Sequence, residues 1–528
     1  MARVIVLSGP VSVGKSAFAE VLLELTGARK VSTSSWIARE TGAERERGAL
    51  QAAGERLDRE SGGAWVARAV QSDLDEHGNG TLLLDSARIA AQVESLRKQF
   101  GDVFHIHLNA SDEELERRYA RRDSAHREFP TYAEVRKSAT EAAVGELASI
   151  ANLVLDTEYA DPRTLAEIAA AALGAARKVP GRLVDVIVGG QYGSEGKGNI
   201  CAAIAHNYRG LVRVGGPNAG HLVKDPPYKY VQLPSGTQSN RDARIFIAAG
   251  STIWLPQLLM EIYDCGLDHR RLWIDPQAMI IDDEDRRLED KLSSISSTRQ
   301  GVGSANARKI LNRGKEPIFG PKVALARDVK QLDRYVRDVR AELDHMVSDG
   351  EPVLIEGTQG TALSVHHGIW PSVTSRETSV AGCLADAGVS PATVRRVVGV
   401  YRTYPIRVGG DSGWMGREIE FNVVAGRSGI SLEELLRTEK GTISGTQRRI
   451  AEFDWALFRR SIALNGVTDI ALTFADYIRI ENRHAKEFPE LTAETQRFIE
   501  RLELVAGVPV NLVSKAFEKD GVLARNGW

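Results

Sequence analysis

The sequence is poor in cysteine: Cys201, Cys265 and Cys383 are the only three in 528 residues, widely separated and odd in number. That excludes a disulfide framework and a cysteine-based zinc spacing. Net charge is nearly absent too, with 68 Lys and Arg against 70 Asp and Glu for a balance of −2. Bulk electrostatics therefore gives no support to binding of nucleic acid or of a membrane surface. No apolar run comes near the roughly 20 residues that a bilayer-spanning helix needs. The N-terminus MARVIVLSGP reads as a short strand rather than a signal peptide. A cytoplasmic location is the expectation.

What is present is a chain too long for one core, so about two or three domains are expected. Short apolar runs at residues 3–8, 82–84, 103–108 and 153–155 alternate with helical patterns such as 90–100 and 112–122. Such alternation builds βαβ units on a parallel sheet. An alanine-rich helix at 161–176 closes this region, and RKVPGR (177–182) has the Pro and Gly of a linker. A strand opens again at Leu183. The expected division is a domain at 1–176, a linker at 177–182 and a domain at 183–528. Both are α/β, each a mainly parallel sheet flanked by helices.

GPVSVGKS (9–16) satisfies G-x-x-x-x-G-K-S in full, after a strand and before a helical pattern. In such a loop backbone N–H groups and the helix N-terminus hold phosphates, the lysine reaches the terminal phosphates and the hydroxyl ligates magnesium. Gly9, Gly14, Lys15 and Ser16 are therefore candidate triphosphate-binding residues, with Ser16 the metal ligand. The stretches 47–70 and 82–100 resemble the small-nucleotide kinase group of P-loop proteins. That resemblance implies Asp85 beside the phosphates and Arg88 near the phosphoryl acceptor. It also fits RRYARRD (117–123), with Arg118 and Arg122, to a cationic lid over the moving group. A solvated helix face is the other reading of that run, and the acceptor stays open.

A second glycine-crowded loop, GGQYGSEGKGN (189–199), follows the apolar run 184–188 but has Gly198 where an ordinary P-loop has Ser or Thr. Downstream stand RVGGPNAGHLV (213–223), LPSG (233–236), EGTQGTALSVHHGIWPSVTS (356–375), RVGG (407–410) and GTISGTQRRIAEFD (441–454). In this order the blocks resemble the adenylosuccinate synthetase family, over essentially all of 183–528 and in its compact version. The resemblance implies a magnesium-dependent ligase. GTP or ATP would phosphorylate the six-oxygen of a purine nucleoside monophosphate, and the amino group of L-aspartate would then displace that phosphate at carbon 6. The oxygen is a poor leaving group until phosphorylated, and the purine must lose its N1 proton before that oxygen can attack. The chemistry thus needs a base, a metal on the donor phosphates and a proton donor over the moving group. A homodimer is implied as well.

Carried over residue by residue, the resemblance makes His221 the acid on the six-oxygen. It gives the donor phosphates to Gly193, Ser194, Glu195, Gly196, Lys197, Gly198 and Asn199. Asn218, Ala219, Gly220, Thr298, Gln359 and Thr374 would hold the acceptor nucleotide, with the Gly220 carbonyl also on magnesium. Thr442, Ser444, Arg448 and Arg449 would take the aspartate carboxylates, for which arginine's planar fork is suited.

The pattern breaks at three places. The family writes the loop Asp-Glu-Gly-Lys-Gly, and here Ser194 replaces the aspartate assigned as base and metal ligand. Ser194 then becomes the candidate relay and metal ligand, passing a proton to water or to Glu195. Losing that carboxylate removes volume and negative charge beside purine carbon 2. The change makes room for a 2-amino group and resembles a bacteriophage branch that uses (d)GMP in place of IMP. The family's donor-base strand end, Thr-Lys-x-Asp, is Thr473-Phe474-Ala475-Asp476 here, which keeps the aspartate and leaves GTP versus ATP open. Asn312, with Arg313 adjacent, stands where family dimers lend an arginine to the neighbour. A bifunctional purine-nucleotide enzyme is the preferred reading, with (d)GMP ahead of IMP as acceptor. Ordinary adenylosuccinate synthesis from IMP and a catalytically weak purine-nucleotide sensor are the alternatives.

Overall fold

Val4 and Val6 of the first strand, β1 (Arg3–Ser8), bury into one core while Ile5 and Leu7 bury into another. This is the signature of a strand covered on both faces. The computed structural model describes residues 2–44, 47–121, 131–137, 139–175, 181–291, 298–440, 446–517, 521–525 and 528. The chain divides into two units, Met1–Lys178 and Val179–Trp528.

In the first unit β1 leads through a glycine loop into α1 (Lys15–Thr26). After it come β2 (Arg29–Val31), α2 (Trp65–His77), β3 (Thr81–Ala87), β4 (Asp102–Asn109), β5 (Leu153–Asp156) and α3 (Pro162–Ala172). The sheet order is β2-β3-β1-β4-β5, and every pairing is parallel. Helices α1 and α3 bury Phe18, Leu22, Leu165 and Ala169 against one face, and α2 buries Trp65, Val66 and Val70 against the other. Helix α3 starts at Pro162 because the Asp161 carboxylate caps it, accepting the N–H groups of Arg163 and Thr164 at 2.9 and 3.0 Å.

The second unit runs β6 (Val184–Gly189), α4 (Lys197–Ile204), β7 (Gly210–Arg213) and a hairpin of β8 (His221–Lys224) and β9 (Pro227–Tyr230). It continues through β10 (Arg244–Ile247), β11 (Leu272–Ile274), α5 (Val302–Leu311), β12 (Val353–Glu356) and β13 (Val394–Arg402). It ends with β14 (Arg449–Ala451), β15 (Asp469–Thr473), β16 (Val510–Ser514) and β17 (Val522–Ala524). Nine strands form one sheet in the order β11-β10-β7-β12-β6-β13-β15-β16-β17, parallel except for the last pair. Strand β6 lies at its centre with all six residues buried. Both units are therefore α/β with mainly parallel sheets, as the alternation of apolar runs and helical patterns implied. Among the described residues no helix is long and apolar enough to cross a membrane.

Parallel strands all point one way, so their last residues gather along one edge. Arg213, Glu356, Arg402 and Thr473 are the final residues of β7, β12, β13 and β15, and the glycine loop leaves the end of β6 beside them.

Candidate active site

The two glycine loops enter their helices alike. Gly14 (φ 97°) and Gly196 (φ 86°) are left-handed caps, and Lys15 and Lys197 are the first helical residues. Glycine takes that conformation without steric cost, and the turn leaves backbone N–H groups free to meet an anion. Gly198 answers to a different constraint: a Cβ there would lie 2.6 Å from Cβ of His221 and 3.0 Å from Oγ of Ser235. The close approach of the His221 hairpin is what excludes the Ser or Thr of an ordinary P-loop.

Inside the second loop, Glu195 Oε1 accepts the N–H groups of Gln191 (3.0 Å) and Gly193 (2.7 Å), and Oε2 takes Nζ of Lys197 at 2.7 Å. Lys197 also donates to the Gln359 carbonyl. Glu195 is buried and lines neither cavity described below. Both Glu195 oxygens thus brace the loop. Asn199 sits in α4 and borders a separate hollow with His206 and Asp225.

Two cavities meet at the loop. The first, ≈ 400 Å³, runs from Gly193, Ser194, Gly196, Lys197 and Gly198 to Arg402, Phe474, Asp476 and Phe517. The second, ≈ 570 Å³, holds Asn218, Ala219, Thr298, Gln359, Thr374 and Arg407. Gly193, Ser194, Gly220, His221 and Arg448 belong to both. Five buried polar side chains in these walls have atoms with no partner among the described residues: Nε2 of His221, Oδ1 of Asn218, Nε2 of Gln359, Nε and Nη1 of Arg402, and Oδ1 of Asp476. Buried polar atoms are ordinarily satisfied, so such a concentration marks a place built for a ligand.

His221 is fixed from behind. Its Nδ1 contacts Glu356 Oε1 and lies 2.8 Å from Nη1 of Arg213, and Arg213 also donates to Glu356 at 2.8 Å. The N–H and Oγ–H of Ser235 donate to the same carboxylate. Burial and the Arg213 charge pull the His221 imidazole down to about 4, against the raising influence of Glu356. Burial opposes ionisation of Glu356, yet Arg213 and His221 hold it at about 2. The imidazole is thus neutral and the carboxylate charged at neutral pH.

In the second cavity Nδ2 of Asn218 donates to Oγ1 of Thr374 at 3.2 Å, and Oε1 of Gln359 accepts from Thr358 at 2.7 Å. In the first cavity, the Arg402 guanidinium lies 3.5 Å from the Phe474 ring centroid. Asp476 Oδ2 accepts from Nε of Arg483 at 3.0 Å, and burial pushes its carboxyl up to about 6 against the pull of Arg483.

The arginine pair separates. Arg448 faces both cavities and reaches Glu439 at 3.3 Å. Arg449 lines neither; it donates to Glu418 at 2.9 Å, to Ser412 Oγ at 3.0 Å and to the Gly413 carbonyl at 2.7 Å. Consecutive residues of extended chain point to opposite sides, which separates the two arginines that the resemblance assigns to one ligand. Thr442 and Ser444 lie outside the described residues. Asn312 is used locally, donating to the Phe319 and Pro321 carbonyls and accepting from the N–H groups of Ile318 and Phe319.

In the first unit a cavity of ≈ 670 Å³ is bordered by Gly14, Lys15, Ser16, Asp85, Arg88 and Arg118. Lys15 donates to the carbonyls of Gly9 (2.6 Å) and Pro10 (2.8 Å). Asp85 accepts the N–H and hydroxyl of Thr33, and Arg88 pairs with Glu141 at 2.5 Å. In the arginine run, Arg117 and Arg118 both pair with Glu114, and Arg118 also turns in to Thr157 and the Val13 carbonyl. Arg122 lies outside the described residues. Beneath the loop, Ser8 Oγ lies 2.7 Å from His105 Nε2 and 2.8 Å from His107 Nδ1.

Sequence reasoning missed Arg213, Glu356, Arg402 and Glu439. Glu356 opens the block EGTQG and Arg213 opens RVGGPNAG, so both were signalled by place. Arg402 and Glu439 carried no signal, because packing across a separation of 37 positions creates their contact.

The strand-end site and the paired glycine loops define the class: a nucleotide-dependent α/β enzyme carrying a ligase unit behind a P-loop kinase-like unit. Residues 186–317 and 323–483 match the family model described as Adenylosuccinate synthetase, and residues 5–140 match the model of an AAA domain. The adenylosuccinate synthetase of Methanocaldococcus jannaschii is 35% identical over 341 residues, 62% of this chain and 93% of that protein. That of Pyrococcus horikoshii is 33% identical over 353 residues, 64% and 98% respectively. Among solved structures, fully ligated adenylosuccinate synthetase from Plasmodium falciparum shares the fold, with TM-score 0.56, 20% identity, and coverage of 66% of this chain and 100% of that one. Cyanophage S-2L succinoaminodeoxyadenylate synthetase, bound to dGMP and to dATP as an energy donor, aligns at TM-score 0.53 and 30% identity over 65% of this chain and 95% of that one. The chain belongs to the adenylosuccinate synthetase family, and the activity of its second unit is carbon–nitrogen ligation of that type.

Proposed function

We propose that the second unit joins L-aspartate to carbon 6 of GMP or dGMP in preference to IMP, using ATP or dATP. The observation that carries this reading is Ser194, a small neutral side chain standing with His221 where the two cavities meet. A carboxylate there would fill the space that a purine 2-amino group needs, and the shorter hydroxyl leaves that space open. The cyanophage relative, bound to dGMP and dATP, supports both choices. Asp476 supports the donor choice, since Arg483 already takes Oδ2 and leaves one oxygen for a 6-amino group.

In this reading the acceptor lies in the second cavity against Asn218, Ala219, Gly220, Thr298, Gln359 and Thr374. The donor lies in the first, with phosphates over Gly193–Gly198 and on Lys197. Glu195 is closed off, so the N1 proton passes to the Ser194 hydroxyl, which releases its own to water. The six-oxygen attacks the terminal phosphoryl group and the nucleoside diphosphate leaves. The arriving negative charge offsets the burial that keeps His221 neutral, and Nε2 of His221 then supports the phosphoryl oxygens by hydrogen bonding. The aspartate amine, positioned by Arg448, attacks carbon 6, and inorganic phosphate departs. Magnesium fits the hard oxygens offered by Ser194 and the Gly220 carbonyl, and in the first unit by Ser16; bound there it would neutralise donor phosphates.

Incubating the chain with aspartate, magnesium, ATP or GTP, and IMP, GMP or dGMP in turn tests this, with mass spectrometry of the succinylated purine as readout. Product from GMP or dGMP with little from IMP is expected, and product from IMP alone would overturn the preference. The first unit is proposed to phosphorylate a purine nucleoside or nucleotide of the same pathway, through Lys15, Ser16, Asp85, Arg88 and Arg118. Phosphate transfer from labelled ATP to such acceptors should vanish in Lys15→Ala, with the ligase product reporting that the chain is folded. The proposed homodimer is read from the mass in solution by light scattering.

A further inference from the structure

Arg402 ends β13 with its guanidinium 1% exposed, and only Nη2 is engaged among the described residues, by Glu439. A buried cation with two idle N–H groups is costly unless something absent completes it. It lies flat on Phe474, 3.5 Å from the ring centroid, and 4.9 Å from the centroid of Tyr477. Those residues, with Asp476, line the first cavity beside the glycine loop, where the Phe474 ring packs against Gly196.

Glu439 is buried as deeply, at 2%. Its Oε1 takes Arg402 and the Tyr477 hydroxyl (2.5 Å), and its Oε2 takes Arg448 at 3.3 Å. One carboxylate therefore ties a buried cation in the wall of the first cavity to the cation that borders both. We propose that Arg402 binds the nucleotide donor and that Glu439, as a positioning residue, couples donor binding to binding of the amino acid. The inference rests on the ligase reading above, with the amino acid on Arg448.

The coupling follows from sharing. The contact to Arg448 is the longer of the two arms, so it yields first. When the carboxylates of the amino acid engage the Arg448 fork, the charge of Glu439 is left to Arg402 and Tyr477. That fixes the guanidinium flat on Phe474, ready for the donor. The reverse holds by linkage: a donor that holds Arg402 in place favours the Glu439 geometry in which Arg448 turns to the amino acid.

The test is calorimetric, with β,γ-methylene-ATP titrated into the full-length chain holding dGMP, with and without saturating L-aspartate. Lys15→Ala serves as the background throughout so that the first glycine loop does not take up the analogue. Aspartate is expected to tighten the analogue about 5-fold or more, and the analogue to tighten aspartate by the same factor. In Glu439→Gln, whose carboxamide has one acceptor oxygen, the factor should fall close to unity while each ligand alone still binds. Arg402→Lys should weaken the analogue and leave aspartate measured alone unchanged. Thermal melting and dGMP affinity check folding, and if Glu439→Gln does not fold, Arg402→Lys decides. Full coupling in Glu439→Gln, no coupling in the parent, or unchanged analogue affinity in Arg402→Lys would overturn the proposal. Absence of aspartate binding in the parent would instead sink the ligase reading on which it rests.

Discussion

Glu356 grips Nδ1 of His221 and leaves Nε2 without a partner, among the described residues, where two cavities meet. A side chain held on one ring nitrogen and idle on the other is oriented for work at the idle one. Replacing His221 with Ala should lower kcat by about 10²–10⁴ with acceptor affinity nearly kept. Glu356→Gln should lower kcat by about 10². Because Glu356 raises the His221 pKa, its loss should also move the protonated limb of the pH–rate profile to lower pH. An unchanged profile with lowered kcat would mean that Glu356 serves packing alone.

Ser194→Asp restores the carboxylate that the family ordinarily has. The expected outcome is loss of GMP and dGMP turnover with gain of IMP turnover, changing the kcat/KM ratio by about tenfold or more. Competition between IMP and dGMP in one reaction, read by mass spectrometry, measures that ratio directly.

Arg448 and Arg449 should differ sharply. Removing Arg448 takes a charged hydrogen-bond donor from the amino-acid site, so Arg448→Ala should raise the aspartate KM by about 10- to 100-fold. Arg449 pairs with Glu418, half exposed, and lines neither cavity. Arg449→Ala should leave the aspartate KM within about 2-fold and cost about 1 kcal/mol or less of stability. Steady-state kinetics and thermal melting on the two variants separate the cases.

In the first unit, burial lowers both His105 and His107 to about 4, helped by His107 on the former and Lys15 on the latter. Their folded pKa values lie below the ordinary 6.5, so the unfolded chain binds more protons in between. The stability they confer is complete above about pH 6.5 and is lost as pH falls toward about 4. Urea titrations from pH 7 to pH 4.5 should show the first unit weakening over this window. His107→Asn should flatten that slope whatever it does to stability at pH 7.

Much of this architecture could be read from the chain because local rules dictated it. The glycine–lysine steps at Gly14-Lys15 and Gly196-Lys197 each became a left-handed cap and a helix start. The apolar runs 82–84, 103–108 and 153–155 each became part of a parallel strand. The ligand-facing side chains divided differently. Asn218, Thr298, Gln359 and Thr374 do reach one cavity, Gln359 from a left-handed turn (φ 58°) just after β12. Glu195 braces its own loop, because a loop with so many N–H groups needs an internal acceptor, and composition does not say which carboxylate supplies it. Arg449 turns away from Arg448 at the start of β14, where Ile450 and Ala451 are both buried and give no alternation to read in advance. Arg402 and Glu439 were out of reach, since neither residue does anything until the sheet has assembled around them.

The partition between the two cavities is thin: Gly193, Ser194, Gly220, His221 and Arg448 serve as wall to both. A single inhibitor could therefore straddle it, carrying a purine monophosphate on one arm and an amino-acid or polyphosphate mimic on the other. With a short tether the second arm would meet its site at an effective concentration of about millimolar. Potency would then come from geometry that neither natural ligand exploits alone.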